Sequence, residues 1–276
     1  GDLTSPDVKI GPDIWNGLAD VPLRYMRQQR SGWNPIHNSA MHTKDGIIVD
    51  HPTRAGEYVP ASGGWADASD YLQYVTTSAT ATFQMLQAWR DHPRAFGDDF
   101  QADGRTGANG IPDVLDEARH GLVWLLKMFP DDSLMLNQLG DDRDHMFFDL
   151  PQNDSSDYGW GKGGPRPLYP CTGIAQGLLR YQNRASGYAS TAGKFAAAFA
   201  LGAQLLRMRE PALADTLMRK ARAAFALGEK YPGVCQTAPA RGPYFYEEDD
   251  WADDMELGAA ALFALTGETR YRSRAL

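Results

Sequence analysis

Residues 63–75 read Gly-Gly-Trp-Ala-Asp-Ala-Ser-Asp-Tyr-Leu-Gln-Tyr-Val. The double glycine allows the backbone to turn sharply and to approach other groups closely. Two carboxylates, Asp67 and Asp70, follow at an i, i+3 spacing, and apolar residues with helical periodicity begin at Tyr71. The pattern therefore predicts that both carboxylates lie where a loop enters a helix.

Two interpretations of this carboxylate pair are open from the residues alone. Acidic side chains are stabilised at a helix N-terminus by its free N–H groups and dipole, so Asp67 or Asp70 could simply cap the helix. Alternatively, both side chains point into a cleft and together hold a water molecule. Only the second interpretation predicts an active site.

The composition excludes several classes of partner. The chain has 276 residues, 43% of them hydrophobic, which is enough for one large domain or two small ones. A net charge of −8 argues against nucleic acid and anionic membranes as partners. No stretch approaches the roughly 20 apolar residues that span a bilayer. Cys171 and Cys235 allow at most one disulfide and make a thiolate zinc site unexpected.

Helical periodicity dominates the chain, and no convincing run of alternating strand residues is present. Long irregular segments at 31–66, 97–110 and 131–170 separate the early helices, and loops of that length are usually functional or well packed. Dense alanine between 192 and 228 suits closely packed layers of helices, although helix propensity alone also explains it. We predict helices at about 13–29, 71–90, 111–129, 172–185, 190–209, 211–231 and 251–266, with another beginning near Thr269.

Three segments in this order resemble one enzyme family. They are residues 63–75, the stretch Asn-Gly-Ile-Pro-Asp-Val-Leu-Asp-Glu-Ala-Arg at 109–119, and the stretch Asp-Trp-Ala-Asp-Asp-Met-Glu-Leu at 250–257. Together they resemble glycoside hydrolase family 9, an inverting family with many bacterial and plant endoglucanases. The resemblance runs from about Arg30 to Leu265. It implies a mainly α fold, an (α/α)6 double-ring helical barrel whose long loops form the substrate groove.

The resemblance also assigns roles to the carboxylate pair. Asp70 aligns with the general base that takes a proton from the attacking water, and Asp67 aligns with the residue that helps hold that water. Inversion needs such a base on the face opposite the leaving group, and a separate carboxylic acid to protonate the glycosidic oxygen. Ser69 stands where the family usually has glycine, a change that matters only if this residue needs a positive φ.

The general acid of the family has no counterpart in this sequence. It is a glutamate in an Asn-Glu motif near the C-terminal end of the catalytic domain, and no Asn-Glu pair occurs here. We therefore expect a single catalytic domain over residues 1–276 that is truncated at its C-terminal end and contains about two-thirds of the barrel.

The resemblance implies two metal expectations, although the chemistry itself requires no cofactor. One branch of the family holds structural zinc with two cysteines and two histidines, and the matching positions here are Ser31, Met41, His42 and Ala66. One imidazole cannot build a four-ligand zinc site, so zinc is not expected. The family also implies a structural calcium ion near the start of the helix at 251. Its ligands would be Asp249, Asp253 and Asp254. The alternative is an acidic helix N-terminus that is simply exposed to water.

Two aromatic residues are candidates for contact with sugar rings: Tyr71, beside the base, and Trp160, in the glycine-rich loop at 159–165. Loop packing explains Trp160 equally well.

The predicted activity is endoglucanase-like hydrolysis of β-1,4-linked glucan such as cellulose, with a β-glucan or oligosaccharide as partner. Polymeric substrates imply a secreted or periplasmic location. One alternative is an exo-acting β-glucosidase or glucosaminidase of the same family. Others are a non-catalytic sugar-binding fragment and another double-ring barrel such as a sugar epimerase, in which Asp67 and Asp70 would be dispensable.

Overall fold

The computed structural model describes residues 4–11, 14, 17–146 and 149–276. Within these ranges the chain is mainly helical, with short 3₁₀ turns at Pro93–Ala95, Asp142–Met146 and Pro151–Asn153. The α-helices are α1 (Asp20–Gln29), α2 (Val75–Asp91), α3 (Asp113–Met128), α4 (Ala189–Leu206), α5 (Pro211–Lys230), α6 (Ala252–Thr266) and α7 (Thr269–Arg272). The strands are β1 (Gly32–Asn34), β2 (Ser39–Met41), β3 (Ile47–Ile48), β4 (Gln73–Tyr74), β5 (Leu136–Leu139) and β6 (Pro167–Pro170).

Helix α4 lies at the centre of the described core. Most of its residues are buried, and it packs against α2, α5 and α6. Its neighbour α5 buries only one stripe, which includes Leu217 and Phe225, and exposes the opposite side. An apolar helix covered on all sides beside an amphipathic one is the pattern of an inner and an outer layer. The layered arrangement that the alanine-rich sequence suggested is therefore present.

Glycine allows α4 and α6 to touch through their backbones. A Cβ added at Gly193 would lie 2.3 Å from the carbonyl carbon and oxygen of Asp254, and Gly258 faces the Gly193 carbonyl. This contact fixes the start of α6 against the inner helix.

A four-stranded sheet joins the long loops to the segment that carries the carboxylate pair. Its strand order is β3-β6-β5-β4, with β3 parallel to β6 and the other neighbours antiparallel. In the chain, strand β4 begins three residues after Asp70 and is followed directly by α2. The expectation of no strands was wrong because these strands have only two to four residues and are mostly buried on both faces, so no alternating pattern arises.

Two predicted helices need correction. The helix predicted at 71–90 begins at Val75, since β4 occupies the two residues before it. The segment 172–185 is not helical. The Asn183 N–H donates to the Gln176 carbonyl oxygen, the Gln176 N–H donates to Asn183 Oδ1, and the Cys171–Cys235 disulfide fixes the start of the segment. The first predicted helix is observed from Asp20 onward, and residues 13, 15 and 16 lie outside the described residues.

None of the helices in the described ranges combines the length and the apolar character that a membrane-spanning helix requires.

Replacing Gly193 with alanine should destabilise the protein by about 1–3 kcal/mol, because the new Cβ would collide with the backbone at Asp254. The matched control is Gly202→Ala on the same helix, where the nearest atoms are the methyl groups of Leu122, which can move. Urea denaturation of both variants measures the difference. Equal stability of the two variants would contradict this account of the α4–α6 contact.

Candidate active site

A buried polar cluster anchors the first half of the loop at 63–72. Gly64 has a φ of +73° and lies so close to Trp124 that an added Cβ would be 2.5 Å from the indole. The neighbouring Trp65 donates its indole N–H to Glu117 Oε1 at 2.8 Å. Glu117 also accepts two hydrogen bonds from the buried Arg30, at 3.0 and 2.8 Å. The turn is thereby fixed against α3.

His120, on α3, also contacts this turn. Its Nε2 lies 3.0 Å from the Gly64 carbonyl oxygen, so this nitrogen donates. Burial lowers the pKa of His120 to about 4, which keeps the ring neutral near pH 7.

A second buried group, Arg166, holds the other end of the loop. Its guanidinium pairs with Asp45 at 2.8 Å and donates to Gln73 Oε1 at 2.5 Å and to the Tyr71 carbonyl oxygen. Gln73 in turn donates to the Gly63 carbonyl oxygen at 2.7 Å. Both ends of the loop are therefore tied to one charge network.

Both oxygens of Asp67 accept hydrogen bonds from hydroxyl groups. Thr77, in the first turn of α2, donates to Oδ1 at 2.6 Å, and Tyr246 donates to Oδ2 at 2.6 Å. The N-cap of α2 is Tyr74, without a side-chain hydrogen bond, so neither Asp67 nor Asp70 caps this helix. The capping interpretation is wrong.

Asp70 lies at the edge of an open pocket of about 180 Å³, whose lining also includes Ser31, Tyr71 and Asp149. Its Oδ1 accepts from the Leu72 N–H at 3.1 Å, and its Oδ2 lies 3.3 Å from His145 Nε2. The side chain is 17% exposed, so water can reach it.

The surroundings make Asp70 a stronger base than a free aspartate. Burial raises the pKa of Asp70, and the charge of Asp67 raises it further, while His145 and the Leu72 N–H oppose the shift. A proton taken from water is thus held more firmly than an exposed aspartate would hold it.

A third carboxylate, Asp144, lies behind Asp70 and was not identified from the sequence. It is buried, and its Oδ2 accepts from the Tyr71 N–H at 2.9 Å. Its Oδ1 has no hydrogen-bond partner and is 3.8 Å from His145 Nδ1. Burial, together with the charge of Asp70, raises the pKa of Asp144 to about 7. His145 therefore stands between two carboxylates that resist being charged at once.

The site residues that sequence reasoning missed come from distant segments. Asp70 and His145 are 75 positions apart, and Asp67 and Tyr246 are 179 positions apart. The available signals were weak: an Asp-Asp-Arg-Asp-His run at 141–145 inside a long loop, and a Tyr-Phe-Tyr run before the acidic stretch at 247–250.

The two aromatic candidates occupy different environments. Tyr71 is 4% exposed, donates its hydroxyl to the Asp149 carbonyl oxygen at 2.7 Å and places its ring 5.5 Å from that of His42. It is a wall of the Asp70 pocket. Trp160 is 39% exposed and is not among the described residues that line this pocket. Their contact with sugar stays a prediction.

The structure separates the residues assigned to calcium. Asp249 is 81% exposed and lies 3.3 Å from the Arg184 guanidinium, whereas Asp254 accepts from Lys194 at 2.6 Å. Asp253 is exposed in the first turn of α6. In the described ranges, no group of three or more His, Cys, Asp or Glu residues is arranged to hold a metal ion. The donor set does not fit a calcium site.

At the positions that match the family's zinc site, His42 is engaged by protein groups. Its Nδ1 lies 3.3 Å from Ser31 Oγ and its Nε2 lies 3.0 Å from Asp154 Oδ2. That no zinc binds here stays a prediction.

Comparison with known proteins gives consistent matches. The sequence model of Glycosyl hydrolase family 9 matches residues 15–276. Endoglucanase C of Cellulomonas fimi is 32% identical over 76% of this chain and 18% of its own length. Endoglucanase D of Acetivibrio thermocellus is 25% identical over 97% of this chain and 40% of its own length.

A solved structure gives the same result. The crystal structure of a metagenome-derived glycoside hydrolase family 9 endoglucanase superposes with a TM-score of 0.73 at 29% identity, covering 95% of this chain and 45% of that chain. The chain thus spans less than half the length of these relatives. Since solved structures of this family are (α/α)6 barrels, the predicted double-ring fold is confirmed, and the described helices form part of it. The chain belongs to glycosyl hydrolase family 9.

Proposed function

We propose that this chain carries the water-activating side of an inverting hydrolase that cleaves β-1,4 bonds in glucans such as cellulose. The observation that carries the proposal is the placement of Asp70, water-accessible at a pocket edge with a raised pKa and backed by Asp67. The printed names of the two sequence relatives, both endoglucanases, support the substrate class. Since glucan polymers lie outside cells, we place the protein in a secreted or periplasmic compartment.

In the proposed reaction, Asp70 takes a proton from a water molecule as the water oxygen bonds to the anomeric carbon. The bond from that carbon to the leaving oxygen breaks on the opposite face, and a separate carboxylic acid, roughly 6.5–9.5 Å from the base, gives that oxygen a proton. Asp67 has its carboxylate fixed by Thr77 and Tyr246, so its charge stays next to Asp70 and raises the proton affinity of the base.

We assign the general acid to no residue of this chain. Asp149 is the other carboxylate among the described residues that line the pocket, but its Oδ1 accepts from the Leu150 N–H at 2.6 Å and from Asn153 Nδ2 at 3.1 Å. Those bonds hold one oxygen of its carboxylate within its own loop. The acid expected from the resemblance is a glutamate in an Asn-Glu pair, and this sequence has none.

A second candidate function is sugar binding without hydrolysis. It predicts that the chain binds cello-oligosaccharides and turns none of them over. An exo-acting glucosidase or glucosaminidase would use the same base, and a comparison of viscosity loss with reducing-end release separates exo from endo cleavage.

An activated substrate tests Asp70 independently of the acid. In 2,4-dinitrophenyl β-cellobioside the leaving group departs without protonation, so hydrolysis depends on water activation alone. We expect Asp70→Asn to lower kcat by about 10²–10⁴-fold. The control is Asp215→Asn, an exposed change on α5 that should leave the rate unchanged. Full activity of the Asp70 variant would eliminate the base assignment. The sugar-binding function would instead be supported if the unmodified chain binds cellopentaose in calorimetry but releases no dinitrophenol from the activated substrate.

The pH dependence of the same reaction should report the environment of Asp70. The ionised carboxylate is active, so kcat/KM should be full above the pKa of Asp70 and fall as the pH drops through it. We expect this acid limb above 3.8, the ordinary aspartate value, because burial raises the pKa. Asp67→Asn removes a repulsive charge and should move the limb to lower pH, whereas His145→Ala removes an attractive partner and should move it to higher pH. Shifts in the opposite directions would contradict the charge arrangement.

A further inference from the structure

We propose that the ammonium group of Lys194 is a built-in cation that joins α4 to the segment leading into α6, and that it takes the place of a bound calcium ion at this junction. The proposal concerns the architecture of the fold.

The ammonium lies between two carboxylates in a poorly hydrated place. Lys194 Nζ is 2.5 Å from Glu248 Oε1 and 2.6 Å from Asp254 Oδ2, and the Ser190 carbonyl oxygen lies 3.5 Å away. The three charged side chains are only 12%, 20% and 13% exposed. Such charges are stable together and costly when one of them is left alone.

The protonation states agree with this geometry. Burial alone would lower the pKa of Lys194, but the charges of Glu248 and Asp254 outweigh it and the net pKa is raised. The lysine therefore stays charged. Burial raises the pKa of Asp254 to about 6 even with the lysine beside it, so this carboxylate needs a positive neighbour.

The cluster of Lys194, Glu248 and Asp254, called the clamp here, connects three helices. Glu248 Oε1 also accepts from the Thr76 hydroxyl on α2 at 3.2 Å, and the Glu248 carbonyl oxygen accepts from Gln236 Nε2 at 2.9 Å. Asp254 belongs to the first turn of α6, where the backbone touches Gly193 on α4. One ammonium thus links α4 both to the first turn of α6 and, through Glu248, to α2.

The donor chemistry disfavours calcium at this place. Calcium needs six to eight oxygen ligands at 2.3–2.6 Å. Here the inward-facing carboxylate of Asp254 already holds an ammonium, and Asp249 points to solvent beside Arg184. A divalent ion would have to displace Lys194 and would be repelled by it.

Thermal unfolding with and without calcium tests the proposal. We expect the Tm of the unmodified chain to differ by less than about 1 °C between EDTA and millimolar CaCl₂, because the cation is part of the chain. Lys194→Met should lower Tm by roughly 5–15 °C, as expected for an orphaned buried charge. Calcium should recover part of that loss, because the two carboxylates then lack a positive partner.

Two further variants serve as controls. Lys230→Met removes an exposed lysine at the end of α5 and should change Tm little in either buffer. Lys194→Arg keeps a cation and should retain more stability than Lys194→Met, still without a calcium response. If Lys194→Met does not fold, the unmodified chain and Lys194→Arg decide the question.

A calcium-dependent Tm or terbium luminescence in the unmodified chain would overturn the proposal. So would a Lys194→Met variant as stable as Lys230→Met. None of these measurements involves a sugar, so their failure is distinguishable from failure of the proposed hydrolase function.

Discussion

The position of the loop at 63–72 depends on the contacts of the buried Arg166 guanidinium. It is 1% exposed and contacts the Asp45 carboxylate, the Tyr71 carbonyl and the Gln73 amide, so one side chain joins two segments that are distant from it in the sequence. A charge buried this deeply is tolerated only when all its donors are satisfied in good geometry. The loop conformation that supplies Tyr71 and Gln73 is thereby selected over others, and Asp70 lies directly before this anchored pair.

The candidate site combines a rigidly supported carboxylate, Asp70, with access for water. Behind the loop, Trp65 and Arg30 converge on Glu117, so the Gly-Gly turn cannot shift without breaking buried hydrogen bonds. At the front, Asp70 keeps one oxygen near His145 and remains partly open to solvent. This division follows the general need of catalytic groups for rigid support combined with access to the reactant. Burial and the neighbouring charge of Asp67 then raise the pKa of Asp70.

Local patterns in the sequence predicted local structure well. The helices predicted at 111–129 and 211–231 correspond closely to α3 and α5. Both are long and amphipathic, and both have a proline at the helix start. The segment 172–185 carries apolar residues too, but a disulfide and paired loop hydrogen bonds outweigh its helical pattern. The strands were not predicted because segments of two to four residues are too short to show a period.

The site was only half predictable, since motif spacing reveals residues that are close in sequence. Asp67 and Asp70 were found in this way. Asp144, Tyr246 and Lys194 meet their partners through the tertiary fold, across separations that no spacing rule covers. The calcium expectation rests on the acidic residues near the start of α6, whereas the lysine that pairs with one of them lies 60 positions away in the sequence.

The most direct test of the water-activating role is the stereochemistry of the first product. Proton NMR of the reaction with 2,4-dinitrophenyl β-cellobioside distinguishes the anomers of newly formed cellobiose before they equilibrate. Attack by a water molecule held on Asp70, opposite the leaving group, predicts the α-anomer as the initial product. Initial formation of the β-anomer would mean retention, and Asp70 would not be the base of an inverting reaction.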